Sequence, residues 1–279
     1  MSAVMETRPV SAHKAPAPVT VAGPVTQIRV VRSEWTKLRA LRSTRWSALS
    51  AVVLIVGLGA AIAGSGTAYH ISAVNSAAKG VSAALLGVLF AQLVVGVVGV
   101  LTFSGEYGTG MIRATLAVVP ARLPVLWAKL VVLTGLVLPV TLLCAFADFF
   151  TATALNSARG GSVISLTDPG VLRTVVGASL YLTVVVVIAV ALGALLRKTA
   201  AGLSVFAAVF FVIPIVVNAL PHKITGFAPY LPSNSGGVLW GDPLSTTNAL
   251  SPWTGFACLC GYAVVLTGLA AWRLRRRDA

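Results

Sequence analysis

Six long stretches of this chain contain no Asp, Glu, Lys or Arg: Trp46–Ala78, Gly80–Gly105, Leu130–Ala147, Thr174–Leu196, Thr199–His222 and Pro243–Trp272. Each reaches the roughly 18 residues that mark a membrane-span candidate, and about 20 helical residues cross the hydrocarbon core. A charge at the bilayer centre costs about 2.5–3.5 kcal/mol on insertion scales, so uncharged windows of this length suit lipid. In water they would give helices with no polar face. Only 10% of the residues are charged, against about 25% in soluble domains. The sequence therefore predicts an all-α polytopic membrane protein with six transmembrane helices.

A net charge of +14 would suit a nucleic-acid binder, but its placement does not. With the amino end inside, 17 of the 21 Lys and Arg fall on the inner side and only Lys79, Arg159, Arg173 and Lys223 outside. This is the positive-inside pattern for six spans with both termini cytoplasmic in the plasma membrane. The basic excess then implies attraction to anionic lipid and no nucleic-acid partner.

Residues 1–25 lack an apolar core and carry Pro9, Pro16, Pro18 and Pro24; they read as a disordered cytoplasmic tail with no cleavable signal. Residues 26–279 form the membrane domain. In Thr26–Arg45, the residues Ile28, Val31, Trp35 and Leu38 recur at three- and four-residue steps, while Arg29, Arg32, Lys37, Arg39 and Arg42 lie largely elsewhere. That pattern predicts an interfacial amphipathic helix, apolar side down, with Trp35 and Trp46 at the headgroup level. The spans are expected near Trp46–Ala63, Val81–Phe103, Leu123–Phe146, Thr174–Leu196, Ala200–Leu220 and Pro252–Trp272. Pro139 and Pro214 are possible kinks, and a tight inner turn at Arg197–Thr199 makes spans four and five antiparallel neighbours. Residues 221–250 carry Phe227, Tyr230, Leu231 and Trp240 among Pro, Gly and Asn; either a packed outer loop or a dip into the outer leaflet fits.

Chemistry is scarce. His13, His70 and His222 stand alone, no HExxH or Cys–His pairing occurs, and Cys144, Cys258 and Cys260 read as packing residues. No catalytic residue, metal or cofactor is expected. No ionisable group is expected within a span, Asp148 being placed at the outer water boundary, which argues against a proton-coupled transporter. No GxxxxGK[ST] loop is present, so the chain is not expected to hydrolyse ATP by that route, and any work it performs would draw its energy from another subunit. The inner loop SGEYGTGMIRATLAVVPAR stands out: Gly105, Gly108 and Gly110 disfavour helix continuation, and Met111–Val119 suits a short helix ended by Pro120. On the cytoplasmic face it fits a groove in a soluble partner, with Glu106 and Arg113 as charged contacts and Tyr107, Met111 and Ile112 as apolar anchors.

SEWTKLRALRSTRW before span one, GEYGTGMIRATLAVVPAR between spans two and three, YLPSNSGG before span six and the terminal LRRRDA together resemble actinobacterial ABC exporter permeases of the type-2 (ABC-2) class, from about residue 27 onward. The resemblance implies a permease that pairs with a second permease copy, identical or paralogous, and with two copies of a separate ABC ATPase subunit. It implies a connecting helix near Glu34–Leu41, including Trp35, Lys37, Leu38 and Arg39. It implies a coupling helix docking on the ATPase from Glu106 to Thr115, including Tyr107, Gly110, Met111, Ile112 and Arg113, and short re-entrant helices before span six. The alternative is a membrane scaffold or anchor without transport.

Overall fold

The computed structural model describes residues 26–40, 42–66, 70, 76–112, 122–160, 163–220, 226–242 and 250–276. Every regular element among them is helical. Six helices are long and apolar enough to cross a membrane: span one Arg45–Ser65, span two Gly87–Gly108, span three Leu123–Ala158, span four Val171–Leu196, span five Thr199–Val217 and span six Pro252–Arg276. They are preceded by the amphipathic helix Gln27–Ala40.

Contacts at the two ends establish the alternation. Leu38, Phe103, Leu126, Ala194, Ala270 and Leu274 share one apolar cluster. This brings the amphipathic helix, the end of span two, the start of span three and the ends of spans four and six to one level. Thr199 at the start of span five joins them by bonding Ser104 (3.2 Å). This is the basic end. At the far end Ala63, Ala84 and Ala152 pack together, and the Arg159 guanidinium donates to the carbonyls of Ala63 and Gly64.

Span four is the core, with 72% of its apolar window buried, against 22% for span one. Its Val/Ala-rich sequence is apolar on all faces, which suits burial on all sides. Small residues let neighbours close on its backbone. A Cβ on Gly193 would lie 2.5 Å from the Val100 carbonyl oxygen of span two, and one on Gly99 would lie 2.6 Å from the Ala189 Cβ. The turn to span five has the expected tightness: Arg197 takes a left-handed φ of 55°, its N–H bonds the Gly193 carbonyl, and Lys198 is extended.

Several boundaries differ from the sequence reading. Span two is entered through a separate helix, Ala77–Ala84, and restarts at Gly87. The break lies where span one crosses, because a Cβ on Gly87 would meet the Leu54 carbonyl at 2.4 Å. Span one carries a π turn at this level, Val53–Gly57. A second π turn, Ala208–Val212, precedes Pro214 in span five. A proline lacks the N–H that would close the preceding turn, and a widened turn relieves the clash of its ring. Span two runs through Gly105 and ends only at Gly108, so the polar loop begins later than Ser104. Span three continues past Pro139 to Ala158, three turns beyond Phe146.

Residues 226–242 form a 3-10 turn, Ala228–Tyr230, and a short helix, Pro232–Trp240. Leu239 and Trp240 are fully buried, Asn234 Nδ2 donates to the Ala228 carbonyl (2.9 Å), and Gly236 lies against Tyr181 of span four and Leu259 of span six. The Tyr262 hydroxyl of span six donates to the Tyr230 carbonyl (3.0 Å). Tyr181 and Tyr262 lie about ten residues inside their helices, roughly 15 Å at 1.5 Å per residue. The short helix thus packs beside the middle of spans four and six, an arrangement open to both readings of this segment. Residues 221–225 and 243–249 lie outside the described residues.

Candidate functional site

The amphipathic helix buries Val30, Glu34 and Leu38, spaced four apart. The stripe expected from sequence was rotated by about one position. Ile28 is 80% exposed and Trp35 39% exposed, with the Arg39 guanidinium over the Trp35 ring at 5.9 Å. The side that packs does so on span three, where Val30 meets Val125 and Ala128 and Gln27 Nε2 donates to the Pro124 carbonyl (3.0 Å). It carries an acid inward because two ammonium groups wait for it.

Glu34 Oε2 accepts from Lys129 Nζ at 2.7 Å and its Oε1 from Lys37 Nζ at 2.6 Å. Glu106, in the last turn of span two, accepts from the same two lysines through Oε1, at 2.8 Å from Lys129 and 3.2 Å from Lys37. Two acids and two bases thus alternate around a neutral ring. Glu34, Glu106 and Lys129 are buried; only Lys37 reaches solvent, with a third of its side chain exposed. Buried charges need such pairing, since an uncompensated one costs several kcal/mol. Burial alone raises the Glu34 carboxyl, but Lys129 and Lys37 outweigh it and hold the group below its ordinary 4.5. Burial lowers Lys37, and its bonds to Glu34 and Glu106 more than offset this, leaving it above 10.5. The Lys129 ammonium also lies 5.9 Å from the centre of the Phe103 ring.

Chain-remote segments meet here: the amphipathic helix, the end of span two and the start of span three. The expected partner-facing residues divide around the ring. Glu106 is turned inward, so its carboxylate is not offered to a soluble partner. Tyr107 is half-buried, stacked on Phe103 (6.0 Å) and beneath the Arg197 guanidinium (5.3 Å). Ile112 is buried. Gly108, Thr109, Gly110 and Met111 are exposed, with Gly110 at a φ of 72° that glycine alone adopts freely. Arg113 and the rest of the expected short helix, to Val119, lie outside the described residues. Of the residues expected at the lipid interface, Trp35 and Arg39 are exposed, Leu38 is in the core and Lys37 is in the ring.

Sequence reading missed Lys129 and Glu34 as a pair. Local spacing marks Lys129 only as one of the 17 inner-side cations and Glu34 only as the edge of the connecting helix. The available signal was scarcity: Lys129 is the only charge between Arg122 and Asp148, and Glu34 the only acid between Glu6 and Glu106.

An open cleft of about 270 Å³ borders the ring, lined among others by Lys37, Leu38, Leu101, Thr102, Glu106 and Met111. Through Ser47 and Val98 it adjoins a narrow apolar groove between span one and spans two and three.

Asp148 also differs from expectation. It lies inside the continuous helix of span three, 1% exposed, against Gly59 of span one. The sequence argument that no ionisable group sits within a span therefore fails at this residue. The chain matches no protein-family model and no curated protein.

Proposed function

We propose that this chain is the membrane-spanning permease subunit of an ATP-driven ABC exporter, working with a separate ATPase and a second permease copy. One observation carries the reading. The exposed turn Gly108–Met111 follows directly on Glu106, and Glu106 is bonded into a ring that also holds the amphipathic helix and span three. A soluble partner that grips the turn and moves on binding ATP would move three elements at once. Gly110 and Met111 are the contact residues in this scheme, joined by Arg113, while Glu106, Glu34, Lys129 and Lys37 transmit the displacement.

The energy source is the partner's differential affinity for two arrangements of the bundle; a partner indifferent to the arrangement would move nothing. The charge pattern supports placing the basic end in the cytoplasm of a cell whose plasma membrane holds the bundle, because Lys and Arg are retained on that side. On that side a partner gripping the contact turn would have access to ATP. The narrow groove beside span one offers apolar surface for a hydrophobic cargo.

The test is whether the affinity-tagged chain co-purifies with an ABC ATPase from its native membranes, in detergent and in lipid nanodiscs. Met111→Asp and Arg113→Glu should each lower recovery of the ATPase at least tenfold while the permease stays monodisperse. Wild-type recovery and wild-type ATP hydrolysis in both variants would refute the proposed contact.

A further inference from the structure

Among the described residues, Asp148 is the one buried carboxyl that the charge ring does not use. Both of its side-chain oxygens are buried without a hydrogen-bond partner. A Cβ on Gly59 would lie 2.3 Å from Oδ1 and 2.8 Å from Oδ2, so the carboxyl fills the space that any other residue of span one would occupy. Gly59 is six residues from the end of span one at Ser65, roughly 9 Å at 1.5 Å per residue. The far boundary of a ~30 Å hydrocarbon layer cannot be much deeper than that end, which puts the carboxyl within the layer.

Among the described residues no cation bonds the carboxyl, and the Arg159 guanidinium at the end of span three is engaged by the carbonyls of Ala63 and Gly64. The facing stretch of span one, Leu58–Ser65, contains no titratable residue. Cys144 lies one turn away on span three itself. The helix Ala77–Ala84 contributes only Lys79, which is exposed. Span four contributes Arg173 and Tyr181, the latter bonded to Gln92, and span six contributes Cys258, Cys260 and Tyr262. The ionisable groups of span two and the amphipathic helix that meet span three, Glu106, Tyr107, Glu34 and Lys37, sit at the basic end near Lys129. That is 19 residues and roughly 28 Å along span three. None of these groups bonds Asp148, and neither described cleft is lined by it.

An ionised carboxylate in such a place would be far costlier than the neutral acid, which loses only a hydrogen bond. A metal ion or an organic ligand has no room between the carboxyl and the Gly59 backbone, whereas a proton needs none. We propose that Asp148 is an intramembrane proton-binding site, occupied while spans one and three are closed on each other. Parting the two spans admits water to the carboxyl and allows the proton to leave; closing them takes one up. Proton binding is thereby linked to the packing of span one, the least buried span. The inference does not depend on an ATPase partner.

Infrared spectroscopy reads the proton directly, because a carboxylic acid and a carboxylate absorb at separate frequencies. The protein would be measured at neutral pH in a maltoside detergent, which has no carbonyl of its own. The expected result is a carboxylic-acid C=O band that moves on transfer to D2O and disappears in Asp148→Asn, whose amide is close in shape to the neutral acid. Should that variant fail to fold, wild-type protein carrying ¹³C in the aspartate side-chain carboxyls must show the same band displaced; the chain has only four aspartates. Absence of an acid band in the wild type overturns the proposal. So does a band that survives in folded Asp148→Asn or ignores the aspartate label.

Discussion

Replacing Lys129 by Met keeps the length of the side chain and deletes the charge at the centre of the ring. Lys129 makes the 2.7 Å bond to Glu34 and the 2.8 Å bond to Glu106, and its side chain is 2% exposed. After the change, Lys37 alone would face two buried carboxylates, and Glu34 Oε2 would lose the ammonium that donates to it. Breaking a buried ion pair from one side destabilises by about 3–5 kcal/mol, because the remaining charge stays out of water. At about 2–4 °C per kcal/mol for larger domains, the melting temperature in detergent should fall by about 6–20 °C. Lys37→Met is the internal comparison. A third of that side chain is exposed, water can replace it, and its loss should cost about 1 kcal/mol or less. Adding Glu34→Gln to Lys129→Met should recover part of the loss, as expected for groups that act on each other. The assay is thermal unfolding followed by size-exclusion chromatography. Lys129→Met melting no lower than Lys37→Met would refute the claim that the ring holds the three elements together.

Gly193→Ala sets a Cβ 2.5 Å from the Val100 carbonyl oxygen; backbone cannot rotate aside, so spans two and four must part, at about 1–3 kcal/mol. Gly135→Ala, with nothing within 4 Å, should instead leave stability unchanged or raise it by up to about 1 kcal/mol, and equal melting of the two variants would contradict the packing. The ring should also give acid lability with a definite sign. Glu34 is held below 4.5 in the folded chain, so the unfolded chain binds the extra proton between the two values. The contribution of Glu34 is then complete above about 4.5 and is lost as pH falls through the lower folded value. Wild type should therefore lose more stability than Glu34→Gln on acidification below that point, and parallel pH profiles would count against the pairing.

The six spans were legible because lipid burial leaves a one-dimensional signature, a run without charge. The tight turn at Arg197–Thr199 was legible for the same reason, two charges caught between two such runs. The ends of the spans were not, because local composition does not decide them. Gly105 looks like a helix breaker, yet the helix continues because Phe103, Ser104 and Glu106 are each buried against other segments. Asp148 looks like a boundary residue, yet span three continues because Phe149 and Ala152 pack inside the bundle. The amphipathic helix was found but turned about one position, since a pattern scored on apolar residues cannot place Glu34 inward without knowing that Lys129 faces it. The ring joins residues up to 95 positions apart, a pairing that local spacing does not encode. The exposed turn Gly108–Met111 was marked by its glycines and by Met111, while the burial of Glu106 and Ile112 behind it emerged only from packing.

The whole account rests on each apolar helix crossing the bilayer once, with the charge ring and the contact turn on the cytoplasmic side. Single cysteines at Arg159 and at Lys198, in a chain whose Cys144, Cys258 and Cys260 are replaced by alanine, bracket span four at its two ends. Intact cells treated with a membrane-impermeant maleimide should label position 159 at once and position 198 only after permeabilisation. Labelling of both positions from the same side, or of position 198 in intact cells, would contradict the topology and with it the proposed docking of an ATPase.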